Sequence, residues 1–316
     1  MTNPGQNASL PTVEPATDGT SIILFGEMLA DVFPDRSVPG GAPFNVARHL
    51  AAFGQKPLLV SRLGDDALGA RMLDDMTDWG MDAGAIQIDR NRPTGRVQVH
   101  IEADGHRFEI LPRQAYDFID PHSAGAALEG SHPGLIYFGS LSQRHPVSRQ
   151  ALAAVLCQCA APRFLDINLR EPWYDEDTAR FSLRQADIVK LNDEELRILT
   201  AMFGARGAGE QERARALKRM FDIDRLIVTS GSAGAWQLDG RNHVSEASSG
   251  KTPDIVDTVG AGDAFAAVCI LGIFRGWPPA AALERADAFA AAICEIRGAV
   301  PDNREFYQPF LKEWTQ

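Results

Sequence analysis

The stretch Asp257-Thr258-Val259-Gly260-Ala261-Gly262-Asp263-Ala264-Phe265 decides how this chain is read. The β-branched pair Ile255-Val256 precedes it and the apolar run from Ala264 to Phe274 follows. That order predicts a strand, a Gly-x-Gly turn and a buried helix. Small residues let a backbone come close to a ligand, and the amides at a helix start collect an anion, most often phosphate. Asp263 lies at the same helix start, where the dipole favours its carboxylate form. An ionised carboxylate beside an anion hole can take the proton of an attacking hydroxyl while the amides hold the developing charge. A plainer reading, a glycine turn whose Asp263 merely caps the helix, fits the spacing equally well.

Two other phosphate motifs are excluded. The dinucleotide fingerprint Gly-x-Gly-x-x-Gly would need glycine where Phe265 stands. Gly250-Lys251-Thr252 imitates the end of a Walker A loop, but Ser245 occupies the place of its first glycine, and Pro253 disfavours a helical Thr252.

Residues 257–265 resemble the C-terminal signature of the ribokinase-like (PfkB) sugar kinases. The resemblance implies that Asp263 is the catalytic base and that the amides of Gly260, Ala261 and Gly262 form the anion hole. Further motifs in the family's order extend the resemblance from about Ser21 to the C-terminus.

Composition is compatible with this. The chain has 316 residues, 45% hydrophobic and 23% charged, enough for a sizeable core. A net charge of -11 argues against sequence-independent nucleic-acid binding, which rests on Lys and Arg. No signal peptide is legible, and Ala264 to Phe274 is too short to span a bilayer, so a cytoplasmic protein without membrane partners is expected. Cys157, Cys159, Cys269 and Cys294 read mainly as buried free thiols in helices.

Residues 1–20, rich in Pro, Asn, Thr, Ser and Gly, read as a disordered tail. Ser21-Ile22-Ile23-Leu24-Phe25-Gly26 is a continuous apolar strand, as in a sheet covered on both faces. Asp31 follows just beyond its end, where α/β sheets place ligand contacts. Gly40-Gly41-Ala42-Pro43-Phe44-Asn45 permits close backbone approach and puts Asn45 in a first helical turn. It resembles the family's N-terminal Gly-Gly-x-x-x-Asn motif in its fructokinase-like form. The resemblance implies that Asp31, Gly40, Gly41 and Asn45 hold the sugar.

The segment from Thr94 to Ile101 alternates, Asp104-Gly105 signals a turn and Arg107-Phe108-Glu109-Ile110 returns. A small β sheet standing apart is expected, contributed mainly by about 94–112. In the family such a sheet is a lid and often pairs two subunits. Arg107 and Phe108 are its candidates for touching substrate, while His100 and His106 read as surface residues.

Asp166, Asn168 and Arg170 alternate, so a strand through them would put all three side chains on one side. They resemble the Asp-x-Asn-x-Arg motif of fructokinases and ketodeoxygluconate kinases, which implies that Arg170 meets substrate or phosphate. A structural ion pair with Asp166 is the alternative. Lys190, Asn192 and Glu195 match the family's Lys-x-Asn-x-x-Glu segment. It implies a place for Lys190 and Asn192 in ATP binding, and for Asn192 and Glu195 in ordering Mg2+ through water. Thr229, Gly231 and Gly234, with Gly262, are implied to line the ATP. Gly298-Ala299-Val300-Pro301 resembles the loop that, with Asp257, helps hold a monovalent cation such as K+.

The expectation is therefore an α/β, ribokinase-like three-layer domain over residues 21–316. It has a mostly parallel central sheet and a small β lid, and forms a homodimer through the lid. The expected activity is transfer of the ATP γ-phosphoryl group to a sugar hydroxyl, with fructose first and ketodeoxygluconate or another sugar or nucleoside second. A non-catalytic sugar sensor on the same fold is the reading outside the enzymes.

Overall fold

The computed structural model describes residues 21–102, 105–248, 250 and 253–314. The expected tail 1–20, Asp104 of the hairpin turn and the Lys251-Thr252 pair lie outside them, as does the side chain of His106.

A nine-stranded sheet forms the middle layer. Its spatial order is Val244–Ala247, Ala235–Leu238, Arg225–Thr229, Ile188–Asn192, Arg163–Asp166, Pro133–Phe138, Ser21–Phe25, Pro57–Gly64 and Ile86–Asp89. All neighbours pair in parallel except at the first edge, where Ala235–Leu238 runs antiparallel to both its partners. The apolar run of the central strand shows why helices cover both faces. Ile22 and Leu24 join one buried cluster and Ile23 and Phe25 the other, because successive side chains leave a strand on opposite sides.

On the first face lie the helices Ala42–Ala52, Ala261–Phe274 and Pro279–Cys294. Ala261–Phe274 is buried nearly all round from Ala264 onward, which its lack of an amphipathic stripe requires. It packs against both of its neighbours, so its first turn is held firmly at one end of the sheet.

A second, four-stranded sheet has the order Ser37–Gly40, Leu29–Val32, Gly95–Glu102 and Gly105–Ile110. The hairpin expected around 94–112 is only half of it. Residues 29–40 supply the other strands, so Asp31 sits within a lid strand rather than in a loop beyond the main sheet.

Some local expectations are corrected. Ile255 and Val256 form no strand; they are 67% and 59% exposed. The Val256 and Asp257 amides donate instead to the Cys294 carbonyl at the end of a helix. The strand Arg163–Asp166 stops before Asn168, whose φ of 42° is left-handed, so Asp166, Asn168 and Arg170 do not continue on one strand face. Of the cysteines, all of them free, Cys269 is buried, whereas Cys157 is exposed and Cys159 and Cys294 are half-buried.

Candidate active site

The site lies at the carboxyl ends of the parallel strands. Successive elements leave the strand Ser21–Phe25 for Pro57–Gly64 on one side, while Pro133–Phe138 lies on the other. Loops diverge at such a point and open a crevice. Gly26-Glu27 leaves one strand there, and Gly139 to Ser142 leaves the other.

Asp263 stands in the first turn of the helix Ala261–Phe274. Gly260 precedes that helix with a φ of 81°, and a side chain there would begin 2.4 Å from the Ala299 Cα. Glycine is therefore required both for the left-handed turn and for the close approach of the closing loop. First-turn amides have no carbonyl behind them to accept their hydrogens, so the Gly262 and Asp263 amides are available to an anion. The Lys190 ammonium lies 3.1 Å from where a Gly262 side chain would begin, setting a positive charge behind the turn.

Asn45 reaches Asp263 directly. Its Nδ2 donates to Asp263 Oδ2 at 2.8 Å. Burial pushes the Asp263 carboxyl above its ordinary value. The Asn45 hydrogen bond opposes that rise, the Asp166 charge adds to it, and Lys190 and Arg170 pull down. Gly41, with a φ of 104°, lets the Asn45 helix start hard against the Glu27 backbone, since a side chain at 41 would begin 2.5 Å from the Glu27 carbonyl oxygen. Gly40 is under no such constraint: an added Cβ would meet Asp31 Oδ2 at 3.6 Å, an ordinary contact. Desolvation pushes Asp31 up to about 6, with the Asp257 charge raising it and Arg170 lowering it.

Arg170 is exposed, and its guanidinium donates to the Leu169 carbonyl at 3.3 Å. It makes no ion pair with Asp166. That carboxylate is 1% exposed and belongs to Lys190, at 2.9 Å. The charge of Arg170 nevertheless acts on Glu27, Asp31, Asp166 and Asp263 alike, lowering the proton affinity of each.

The lid candidates separate. Val99 pairs with Phe108 and His100 with Arg107, and paired residues share a face. Phe108 therefore lies on the face that carries Asp31 and the buried Val97, which pair in the same sheet. Arg107 lies on the opposite face, within 3.9 Å of Glu109, which also takes His100 at 2.9 Å. Adjacent strand residues take opposite faces, so of the two candidates only Phe108 shares the face of Asp31.

Asn192 and Thr229 pair at the ends of neighbouring parallel strands, beside the turn Gly231–Ala233 and Gly234 with a φ of 89°. Glu195 is engaged structurally: its Oε1 accepts the Leu169 amide at 2.8 Å and its Oε2 the Asn192 amide at 2.9 Å. Asn192 Oδ1 returns the bond from the Glu195 amide, closing a capping box. Each carboxylate oxygen keeps a lone pair for a water, and hard oxygen donors suit Mg2+, so the pair fits an outer-sphere role only. Asp257 accepts the Val259 and Gly298 amides, tying the glycine turn to the closing loop. Among the described residues, no three His, Cys, Asp or Glu side chains gather as a metal site would need.

The model of the pfkB family carbohydrate kinases matches residues 18–305. The chain belongs to that family. The kinase is 31% identical to a fructokinase of Escherichia coli over 265 residues, 79% of this chain and 83% of the relative. It is 28% identical to fructokinase-2 of Oryza sativa, with 82% of each chain covered. Among solved structures, a fructokinase of Vibrio cholerae bound to fructose, ADP and calcium superposes with a TM-score of 0.75 at 25% identity, covering 92% of this chain and 99% of that one. A 2-dehydro-3-deoxygluconokinase of Thermotoga maritima shares the fold, with a TM-score of 0.76 at 18% identity over 93% of this chain and 98% of that one. The kinase is thus a phosphotransferase acting on an alcohol group.

Sequence reading passed over Glu27 and His49. Glu27 is 3% exposed at the mouth of the central strand, and desolvation together with the Asp263 charge pushes it up to about 7. His49 is fully buried one turn below Asn45, bonded to the Tyr307 hydroxyl at 2.9 Å and to the Ala299 carbonyl at 3.2 Å. A charged residue between apolar runs was the available signal for Glu27; nothing local marks His49.

Proposed function

We propose that the kinase transfers the ATP γ-phosphoryl group to a hydroxyl of fructose. The observation that carries this reading is the Asn45–Asp263 hydrogen bond, which joins the expected sugar site to the expected base. The curated relatives, fructokinases of bacteria and plants, support fructose as the sugar.

Asp31, Gly40, Gly41, Asn45 and the lid face bearing Phe108 would hold the sugar. Its hydroxyl oxygen attacks the γ-phosphorus, the bond to the β,γ-bridging oxygen breaks, ADP leaves and Asp263 takes the hydroxyl proton. The Gly260-Ala261-Gly262 turn holds the phosphoryl oxygens, with Lys190 behind it and Arg170 across the cleft. Positioning and electrostatics carry such transfers. Thr229, Gly231, Gly234 and Asn192 would line the nucleotide. Mg2+, ordered through water by Asn192 and Glu195, would supply charge neutralisation at the phosphates. Asp257 and the closing loop suit a monovalent cation such as K+, through carboxylate and carbonyl oxygens. Residues 21–316 would work as one domain, in a homodimer formed through the lid.

Arg170 favours a second reading. It makes no ion pair among the described residues, and a guanidinium fork fits the carboxylate of 2-keto-3-deoxygluconate as well as it fits phosphate. A coupled assay of ATP turnover over ketoses, aldoses, keto-sugar acids and nucleosides decides. Fructose should give the highest kcat/KM, and preference for the keto-acid would replace it. No turnover with any acceptor would leave the sensor reading.

A further inference from the structure

Buried polar atoms without partners gather behind the Asn45–Asp263 bond. Asn45, 4% exposed, gives its Nδ2 to Asp263 and leaves Oδ1 unpartnered. Glu27 Oε2, Ser142 Oγ and the Tyr137 hydroxyl are likewise buried and unpartnered. They are neighbours. The Glu27 Cγ lies 3.4 Å from the position of an added Gly41 Cβ, beside the helix that carries Asn45, and Ser142 Oγ lies 3.4 Å from that of Gly26. The backbone amides of Glu27 and Ala42 act on the Glu27 carboxyl and partly offset the rise that burial causes; Ala42 stands three residues before Asn45 on that helix.

A buried acceptor such as Asn45 Oδ1 needs a donor. Amide oxygen and nitrogen occupy opposite arms, so whatever serves the oxygen also decides which atom Asp263 meets. We propose that Glu27 is a positioning residue for phosphoryl transfer: as a neutral carboxylic acid it donates toward the Asn45 amide oxygen and so keeps the amide nitrogen on Asp263. When Glu27 loses its proton it becomes a second acceptor competing for that nitrogen, and the hold on Asp263 weakens.

The charges around Glu27 fit this division. Asp263 of the long helix opposes its ionisation, while Arg170, from the loop after strand Arg163–Asp166, favours it. Tyr116, Tyr137 and Arg144 complete the titratable and charged groups that feel Glu27. The Asp263 charge thus favours the proton on Glu27.

The inference rests on the kinase reading above, and its test has an arm that needs no sugar. Wild type, Glu27→Gln and Glu27→Leu are compared. Glu27→Gln supplies a neutral N–H donor and should keep kcat. It should also abolish the loss of kcat that wild type shows as pH rises through about 7. Glu27→Leu should lower kcat about tenfold at every pH, with KM little changed. Infrared spectra of the resting protein should show a protonated-carboxyl band at neutral pH that Glu27→Gln removes. Wild-type turnover in Glu27→Leu, an alkaline loss retained in Glu27→Gln, or absence of the band in wild type would each overturn the proposal. Failure of fructose as substrate, with the band present, would instead strike the function reading alone.

Discussion

Asn45 donates to Asp263 across 218 residues of sequence, at 2.8 Å. One residue belongs to the helix Ala42–Ala52 and the other to the helix Ala261–Phe274, and the two helices pack side by side. The expected sugar site and the expected base are therefore joined by one contact between packed helices.

Asp263→Asn removes the proton acceptor while keeping the Asn45 neighbour. Turnover should fall about 10²–10⁴-fold, with ATP binding and melting temperature little changed. Because burial raises the Asp263 carboxyl, the acid limb of kcat/KM in wild type should lie above the ordinary aspartate value of 3.8. Steady-state kinetics across pH check both; near-normal turnover would sink the assignment of the base.

Asn45→Leu keeps the bulk and loses the bond. A hydrogen bond to a charged group contributes about 2 kcal/mol, so kcat/KM should drop roughly thirtyfold. The Asn45 bond lowers the proton affinity of Asp263, so the acid limb should also move to higher pH. A pH profile that keeps its wild-type midpoint would show that the contact does not tune the base.

Lys190→Met leaves Asp166, 1% exposed, without its ammonium. Breaking a buried pair on one side costs about 3–5 kcal/mol. Urea unfolding should show that loss, and the double variant Lys190→Met with Asp166→Leu should recover most of it. Turnover should stay low in both, because the positive charge behind Gly262 is gone.

His49 sets a pH dependence of stability. Burial pushes it down to about 3 from 6.5. The unfolded chain binds a proton below 6.5 and the folded one does not until about 3, so stability falls as pH drops through that window, by about 1.4 kcal/mol per unit from this residue. Denaturant titrations of wild type and His49→Gln between those limits should show a shallower slope in the variant. Equal slopes would mean that the ring is protonated in the fold.

The pattern of apolar strands and helices, the glycine turn and the Asp263 position were legible because each depends on residues close in sequence. The strand through Arg170 was misread for the same reason. Alternation can be seen locally, but the chain leaves the strand at the left-handed Asn168, beyond which the Leu169 amide donates to Glu195. The strand before the glycine turn failed likewise, since the Cys294 carbonyl that takes the Val256 and Asp257 amides comes from a distant helix.

The sequence by itself determined the family, the α/β alternation, and which acid, amide and glycine residues could serve, since backbone geometry and charge type are local properties. Only the tertiary structure decided which of them meet. It put Arg107 on the lid face opposite Asp31, gave Asp166 to Lys190, and buried Glu27 within reach of the Asp263 charge. Those outcomes depend on sheet register and helix packing, which join residues that the chain keeps far apart.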